Sequence, residues 1–257
     1  MKSFDIFNKN YLNYAFFKNP KPLEFKCISF ILQKLKIRRY CIDIGAEIGT
    51  YSILFSSFYE KVISYEPVKI NFNTLKLNTS NYKNIKIFNY AIGNNVKKKI
   101  YLPDFNYGGS TIKKNKNYKT EIVRFKNFPK KTSYLKKIDL VKIDVEGDEY
   151  NVLKSLIRNN LFKFNNPLIL IEKSKKFNLN TMQVLKEIGY NFCYEVGHNK
   201  KHSNNFLYNK VYFIKFIFKC FFTYFLNKKN ITRVSKIDNN KNYSNLLLSK
   251  KSLDSII

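Results

Sequence analysis

The chain has 257 residues, enough for one full domain with small additions, and its 47 basic against 18 acidic residues give a formal net charge of +29. This charge favours an acidic partner such as nucleic acid, an anionic glycan or a membrane surface, although the abundance of Lys, Asn, Ile, Phe and Tyr is also typical of an AT-rich genome. Four scattered cysteines without a C-x-x-C pair argue against a zinc site or a disulfide framework and fit a reducing cytoplasm.

The N-terminal part of the chain, residues 1–38, is predicted to be a helical lead-in. It has no continuous apolar core of signal-peptide length, and apolar residues at helical spacing predict an amphipathic helix over 23–39. The next stretch alternates short apolar runs with helical patterns. Strands are predicted at 40–44, 61–67 and 84–93, and helices at 49–59 and 68–81. This alternation indicates a parallel sheet covered by helices.

An inserted hairpin interrupts the alternation at about 94–131. Its two predicted strands, 96–103 and 119–125, flank a polar loop that is a natural place for a substrate lid. The alternation then resumes. Strands are predicted at 138–145, 167–172, 190–196 and 204–209, and helices at 148–159 and 181–189. Residues 39–209 are therefore predicted to form one α/β domain.

Residues 210–257 are predicted to be a basic aromatic helix followed by a loose tail. The helix, 211–229, is too short to span a bilayer of ~30 Å and carries Lys215 and Lys219 on one face. It fits either an interfacial helix on an anionic membrane surface or a helix packed on the domain. Beyond about residue 228 the chain is polar and is expected to be loose.

Acids and glycines follow the first two predicted strands. Asp43 ends the first strand, and Gly45 and Gly49 come directly after it. Glu66 ends the second strand about twenty residues later, where an acid can bind the two hydroxyls of a ribose. In a parallel sheet, ligands bind beyond the carboxyl ends of the strands, and glycine lets the chain pass close to them. Together these features predict a pocket for a nucleoside-like cofactor.

The chemistry of this loop favours S-adenosyl-L-methionine (SAM) over a dinucleotide. A dinucleotide site places the glycines of G-x-G-x-x-G under a pyrophosphate, whereas this loop is G-x-x-x-G with Asp43 before it and Glu47 within it. Carboxylates repel phosphate, but they suit a ligand that has an ammonium group and a sulfonium. The glycines would clear space for such a ligand, and the acids would select a cation.

The same residues carry a resemblance to the FkbM-type methyltransferases. The stretches CIDIGAEIGTYS (41–52), VISYEPVKINFNTLKLN (62–78) and IDLVKIDVEGDEYNVLKS (138–155) resemble motifs of that family, although Glu47 stands where the family usually has asparagine. The resemblance implies a class I methyltransferase, Rossmann-like α/β fold. Its sheet would be mostly parallel and seven-stranded, with an antiparallel last strand and helices on both faces. The resemblance also implies O-methylation, often of a sugar or another secondary-metabolite hydroxyl.

Cofactor contacts are implied along the first three strands. They are Asp43 at the amino group, Gly45, Ala46 and Gly49 beneath the methionine part, Glu66 and Pro67 at the ribose, and Tyr90 and Ala91 at the adenine ring. Structural alternatives stay open, since Asp43 could cap the following helix and Tyr90 could belong to the core. Gly109 and Ser110 lie in a short glycine–serine loop and are predicted to contact the substrate.

The acids of KIDVEG are the main catalytic candidates. Asp144 and Glu146 would both face the pocket if the chain stays extended to Gly147, and Glu146 is the first choice for accepting the hydroxyl proton. Glu172, at the end of the next strand, is predicted to contact the substrate. These three acids could be imagined as metal ligands, but single acids from separate strands are weak support, and no metal is predicted.

The only two histidines, His198 and His202, lie in GHNKKHSNN. Glycine, asparagine and serine around them indicate a loop, so a helical metal pair is disfavoured. His202 remains a minor candidate for accepting a proton, and a plain surface histidine is the default.

The predicted function is a SAM-dependent O-methyltransferase for a small-molecule or glycan hydroxyl, as in polysaccharide biosynthesis. We expect it in the cytoplasm, either free or peripheral on the inner face of the membrane. One alternative is a nucleic-acid methyltransferase, but VEGD replaces the N-P-P-Y motif of amino-methylating enzymes, so nucleic acid is not expected as a partner. Another alternative is a non-catalytic membrane- or glycan-binding module on the same fold. The oligomeric state does not follow from the sequence.

Overall fold

The structure, a computed structural model, describes residues 31–32, 34–103, 110, 112, 114, 116–130, 135–173, 179–196, 231–233 and 244–253. The predicted N-terminal helix is represented by residues 31–32 and 34, and it ends there rather than at residue 39. Arg39 instead leads into the sheet, because its backbone N–H and its guanidinium both donate to Asp139, at 2.7 and 2.6 Å.

The chain alternates strands and helices as the sequence predicts. In chain order the elements are β1 (Tyr40–Ile44), α1 (Thr50–Ser56), β2 (Lys61–Tyr65), α2 (Lys69–Asn78), β3 (Ile85–Phe88), β4 (Ala91–Ile92), β5 (Val96–Leu102), β6 (Lys119–Lys126), β7 (Ile138–Ile143), α3 (Glu149–Arg158), α4 (Leu161–Phe164), β8 (Leu168–Lys173), α5 (Leu179–Glu187), β9 (Phe192–Val196), β10 (Ile231–Arg233) and β11 (Ser244–Ser249).

Eight strands form the main sheet, in the order β10-β9-β11-β8-β7-β1-β2-β3. The strands from β8 to β3 in this order are parallel neighbours, whereas β11 is antiparallel to both β8 and β9. Apart from the three-residue edge strand β10, this is the predicted seven-stranded sheet, and the class I methyltransferase fold is confirmed. The chain order reverses between β1 and β7, and ligand crevices in such sheets open at this switch point.

The antiparallel strand comes from a segment predicted to be a loose tail. β11 lies between β8 and β9, and Leu246, Leu247 and Leu248 are all fully buried in it. The loose-tail prediction is therefore wrong for β10 and β11. A strand buried on both faces has a continuous apolar run instead of an alternating pattern, so its periodicity does not reveal it. The last strand predicted at 204–209 lies outside the described residues.

The predicted insertion forms a separate three-stranded sheet, in the order β4-β6-β5. The strand predicted over 84–93 is thereby divided, because the chain turns at residues 89–90 and β4 pairs with β6. The small sheet braces two helix starts: Glu121 accepts a hydrogen bond from the backbone N–H of Lys69, at 2.9 Å, and Lys98 lies 3.9 Å from Asp148. It therefore forms a wall beside the carboxyl ends of β2 and β7.

The two faces of the main sheet have separate cores. One face packs against α3, α4 and α5, whereas the other packs against α1 and the residues of the N-terminal helix. Successive side chains in a strand point to opposite faces. Cys41 and Leu140 belong to the α1 core, so Asp43 and Lys142 lie on the same face, where the apolar part of each strand ends.

Within the described ranges, no helix combines the length and apolarity that crossing a bilayer requires. The basic aromatic helix predicted at 211–229 lies outside those ranges, so its contact with a membrane stays a prediction.

Candidate active site

The loop after β1 is fixed beneath the end of β2. The backbone N–H groups of Gly45 and Ala46 both donate to the carbonyl oxygen of Tyr65, at 3.0 Å each. Gly45, Glu47 and Gly49 have positive φ angles of 81, 52 and 94°. Such angles are uncommon for residues other than glycine. The loop is therefore a tight turn whose path is set before α1 begins.

The two glycines face protein atoms, which corrects the expectation that they clear space for a ligand. A Cβ on Gly45 would lie 1.7 Å from the carbonyl oxygen of Asp144, and a Cβ on Gly49 would lie 2.7 Å from a methyl group of Leu75. Glycine at these positions lets the loop pack against the turn after β7 and against α2. A cofactor passing over the loop stays a prediction.

Asp43 is fully buried and links four elements. Its Oδ2 accepts a hydrogen bond of 2.7 Å from the hydroxyl of Ser52 in α1, and Ser52 Oγ lies 2.8 Å from Ser64 Oγ on β2. Its Oδ1 lies 3.6 Å from Nζ of Lys142 on β7. Burial raises the pKa of Asp43, although Lys142 and Ser52 oppose the rise. Asp43 does not cap α1, whose N-cap residue is Gly49.

Glu66 follows β2 directly, and both of its carboxylate oxygens accept backbone hydrogen bonds. Oε2 accepts from the backbone N–H of Glu47 and Oε1 from that of Val68, each at 2.9 Å. Its side chain is almost completely buried, and burial raises the pKa of Glu66 to about 8. The side chain of Asn71 also hydrogen-bonds to this carboxyl group. A carboxylate has about four acceptor positions, so capacity remains for a ribose hydroxyl. The geometry fits the predicted ribose contact.

The turn beside Glu66 is stabilised by Asn89. Its side-chain amide donates to the carbonyl oxygens of Glu66 and Pro67, at 2.9 and 3.1 Å. The ring of Tyr90 lies 5.4 Å from the ring of Tyr65 and is packed against the main core. Tyr90 thus has a structural role, and its contact with an adenine ring stays a prediction.

Three acids meet on the other side of the switch point. Carboxylate oxygens of Asp144, Glu146 and Glu172 lie within 4.8 Å of one another, and all three residues are half-buried. Burial raises the pKa of Glu172, and the charge and hydrogen bond of Asp144 raise it further. Like charges at this spacing cannot all remain ionised at low cost, so the cluster favours a bound proton. The same spacing could admit a cation, and the absence of a metal stays a prediction.

The chain does not stay extended as far as Gly147, in contrast to the expectation. Glu146 has a φ of 53° and Gly147 a φ of 108°, so the chain turns here. The turn prepares the start of α3, because the N–H of Gly147 donates to Glu149 Oε1 at 2.9 Å. Glu146 still reaches Asp144 and Glu172, but through a left-handed turn instead of an extended strand.

The remaining predicted residues are less informative. Gly109 and His202 lie outside the described residues. Ser110 is half-buried between β5 and β6, and its contact with a substrate stays a prediction.

Lys142 is a residue that the sequence analysis missed. It is buried between the carboxylates of Asp43 and Asp144, with Nζ at 3.6 and 3.0 Å from them. The available signal was a lysine inside the otherwise apolar run IDLVKIDV, two residues from Leu140 and therefore on the same face.

Acidic side chains are concentrated at this carboxyl edge of the sheet. Although the chain has a formal charge of +29, eight of its 18 acidic residues lie at or just after the carboxyl ends of β1, β2, β7 and β8. They are Asp43, Glu47, Glu66, Asp144, Glu146, Asp148, Glu149 and Glu172. Such an edge attracts a cationic ligand and repels phosphate. The residues present therefore fit SAM, which has a net positive charge and no phosphate.

Similarity to known proteins is remote in sequence. No curated protein matches the chain. Among solved structures, the methyltransferase FkbM from Methylobacillus flagellatus KT is similar at 20% identity and a TM-score of 0.36, over 58% of this chain and 37% of that chain. This chain therefore spans well under half the length of that protein.

Two further structures are similar over most of the chain. Fibrillarin from Aeropyrum pernix, solved with natively bound S-adenosyl-L-methionine, matches at 10% identity over 87% of this chain and 74% of that one, with a TM-score of 0.43. A tRNA (m1A58) methyltransferase from Aquifex aeolicus matches at 11% identity over 90% and 70%, with a TM-score of 0.40. These similarities are too remote to indicate a substrate.

The family comparison covers the site itself. The Methyltransferase FkbM domain matches residues 43–192, which is more than half of the chain and includes Asp43, Glu66, Asp144 and Glu172. The chain belongs to the FkbM methyltransferase family.

Proposed function

We propose that the protein is a SAM-dependent O-methyltransferase that modifies a hydroxyl of a sugar, a glycan or a secondary metabolite. The observation that carries the proposal is the concentration of carboxylates at the switch point of a strongly basic chain. When bound, SAM supplies an activated methyl group on its sulfonium. The protein has to bind this cation, orient an acceptor oxygen and accept a proton.

The cofactor side consists of the β1 loop and the end of β2. Glu66 is pre-oriented by two backbone N–H groups and by the side chain of Asn71, so its remaining acceptor position can receive a ribose hydroxyl without rearrangement. Asp43 contributes negative charge beneath the loop, where a methionine ammonium would lie. Because both acids are buried, their effect on a cation is less screened by water than at the surface.

The acceptor side consists of Asp144, Glu146 and Glu172. Carboxylates accept several hydrogen bonds each, so this cluster suits the neighbouring hydroxyls of a sugar. Glu146 is our choice for taking the hydroxyl proton, and Asp144 and Glu172 would orient the acceptor. The same negative charge disfavours a phosphate-rich acceptor such as nucleic acid.

Calorimetric titration with SAM tests the cofactor side. Glu66→Ala should weaken SAM binding about tenfold or more, because a hydrogen bond to a charged group is worth ~1.5–3 kcal/mol. Glu121→Ala is the matched control: Glu121 also accepts a backbone N–H, but on the small sheet. Its SAM affinity should equal that of the wild type. A folded Glu66→Ala variant with unchanged affinity would show that the ribose contact is misplaced.

Methyl transfer tests the reaction. Wild-type protein with methyl-labelled SAM should label hydroxyl-bearing sugars or glycans, and the product should be an ether that survives mild alkali. Labelling of RNA or DNA in preference to the hydroxyl acceptors would favour the nucleic-acid alternative. Binding of SAM without transfer to any acceptor class would favour a non-catalytic module.

A further inference from the structure

Lys142 is a buried charged residue that has no direct role in the proposed reaction. Its side chain is 6% exposed, and it stands opposite Asp43 in the pairing of β7 with β1. Nζ lies 3.0 Å from Asp144 Oδ2, 3.6 Å from Asp43 Oδ1 and 4.5 Å from the centre of the Tyr51 ring. The ammonium group therefore bridges the ends of the two strands at the switch point.

Among the described residues, the groups around this ammonium and its partner Asp43 come from β1, α1, β2, β8 and the turn after β7. They are Cys41 and Asp43 on β1, Tyr51 and Ser52 on α1, Ser64 on β2, Asp144 after β7 and Glu172 on β8. Burial lowers the pKa of Lys142, but the charges of Asp144 and Asp43 outweigh it and raise that pKa well above its ordinary value. Burial raises the pKa of Cys41, so the thiol stays neutral. Lys142 is the cation among these groups.

Asp43 depends on this cation. It has no exposed surface, and its other described partner is the neutral hydroxyl of Ser52. A buried carboxylate without a compensating charge takes up a proton, because desolvation disfavours the ionised form. Asp144 is different, since its side chain is 32% exposed and water can reach it.

We propose that Lys142 is a positioning residue that keeps Asp43 ionised beneath the methionine end of the cofactor pocket. The pocket then receives a cationic ligand without a change in the protonation of this acid. The inference rests on the proposed function, because it requires SAM to bind over the loop after β1.

Proton counting during SAM binding tests the inference. The probe is SAM itself, titrated calorimetrically in buffers of different ionisation enthalpy, which yields the number of protons exchanged. In Lys142→Met, Asp43 should be protonated before binding, and the arriving cation should release that proton. We expect up to about one more proton released per SAM than in the wild type, and an affinity about tenfold or more lower at neutral pH that recovers as the pH rises.

Lys98→Met is the matched control, because it removes the same side chain and charge from a partly exposed ion pair with Asp148. It should exchange the same number of protons as the wild type. If Lys142→Met also exchanges the wild-type number, Lys142 does not set the charge of Asp43 and the inference is overturned, even if affinity falls.

A stability cycle without cofactor tests the same relationship. Lys142→Met should lower the melting temperature at neutral pH, because folding then has to protonate Asp43, which is ionised in the unfolded chain. Adding Asp43→Asn should raise the melting temperature again, because the amide needs no proton and no compensating charge. A double variant that is no more stable than Lys142→Met, or that does not fold, overturns the inference. This cycle decides the matter even where Lys142→Met alone is too unstable to titrate. Failure of wild-type protein to bind SAM would instead refute the proposed function.

Discussion

At the residue scale, the site is built from carboxyl groups whose affinity for protons is raised by burial. Glu66 is the clearest example, because its pKa is raised to about 8 although two backbone N–H groups favour the ionised form. Asp43, Glu149 and Glu172 are shifted in the same direction. A cationic ligand bound among these groups would favour their ionised forms.

Glu66 should make the stability of the unliganded protein fall as pH rises from 4.5, its ordinary pKa, to about 8. In this window the folded protein holds a proton on Glu66 that the unfolded chain releases, so the free energy of unfolding decreases with pH. Each unit of pKa shift corresponds to ~1.4 kcal/mol in the free energy of unfolding. Glu66→Gln removes the titration, so its stability relative to wild type should increase with pH in thermal unfolding experiments. A stability difference that is constant across the window would contradict this origin.

Glu146→Gln should leave SAM binding intact and reduce turnover by ~10²–10⁴-fold, the usual contribution of a positioned base. The amide keeps the shape of the side chain and removes its ability to accept the proton. Glu149→Gln is the control, since Glu149 braces the same turn through the N–H of Gly147. It should lose stability while turnover per folded molecule stays close to wild type. The same pattern in Glu146→Gln would mean that Glu146 also only braces the turn.

At the element scale, the β1 loop and the turn after β7 are packed as one unit. The N–H of Asp144 donates to the carbonyl oxygen of Ile44 at 3.0 Å, and Gly45 faces the carbonyl oxygen of Asp144. The proposed cofactor and acceptor sides therefore share a backbone contact, and we expect a displacement of one loop to displace the other.

Alanine substitutions at three glycines with positive φ distinguish the stability cost of backbone strain from that of close packing. Alanine in a left-handed conformation costs ~1–2 kcal/mol, which applies to Gly45, Gly49 and Gly189 alike. At Gly189 the nearest atom to an added Cβ is 3.7 Å away. At Gly49 it is a flexible leucine methyl group at 2.7 Å, and at Gly45 it is a backbone oxygen at 1.7 Å. Chemical denaturation should rank the losses of stability Gly45→Ala > Gly49→Ala > Gly189→Ala. Equal losses would argue against the packing of the β1 loop on the β7 turn.

At the scale of the whole molecule, the main sheet is completed by β11, which fills the position between β8 and β9. β11 pairs with β8 on one side and β9 on the other, so it connects the part of the sheet that carries the candidate site to its far edge. Without it, both strands would expose unpaired backbone groups and the apolar residues beneath them.

Leu247→Ala should destabilise the protein by ~2–5 kcal/mol, because it creates a cavity in the core shared with α1. Ile122→Ala is the control: Ile122 is 67% exposed on the small sheet, and its loss should change stability by less than ~0.5 kcal/mol.

Removal of residues from 244 onwards should prevent cooperative folding, as measured by denaturant unfolding. A truncated protein with wild-type stability would show that β11 is dispensable.

Much of the candidate site was predictable because its residues lie in short, local patterns. Asp43, Gly45, Gly49 and Glu66 could be singled out from their spacing around two strands. The reason for the glycines could not, because the atoms they face belong to α2 and to the turn after β7. The left-handed conformation of Glu146 was missed for a similar reason: the start of α3 decides where the chain must turn.

The sequence by itself determined the alternation of strands and helices, the inserted hairpin and the family of the protein, because these depend on periodicity and motifs among neighbouring residues. The tertiary structure alone decided that β11 enters the sheet, that three acids from two strand ends meet, and that Lys142 lies between Asp43 and Asp144. These features depend on pairing and burial between segments far apart in the chain. The residues of one segment do not specify which distant segment will pair with it, so these contacts form only when the sheet is assembled.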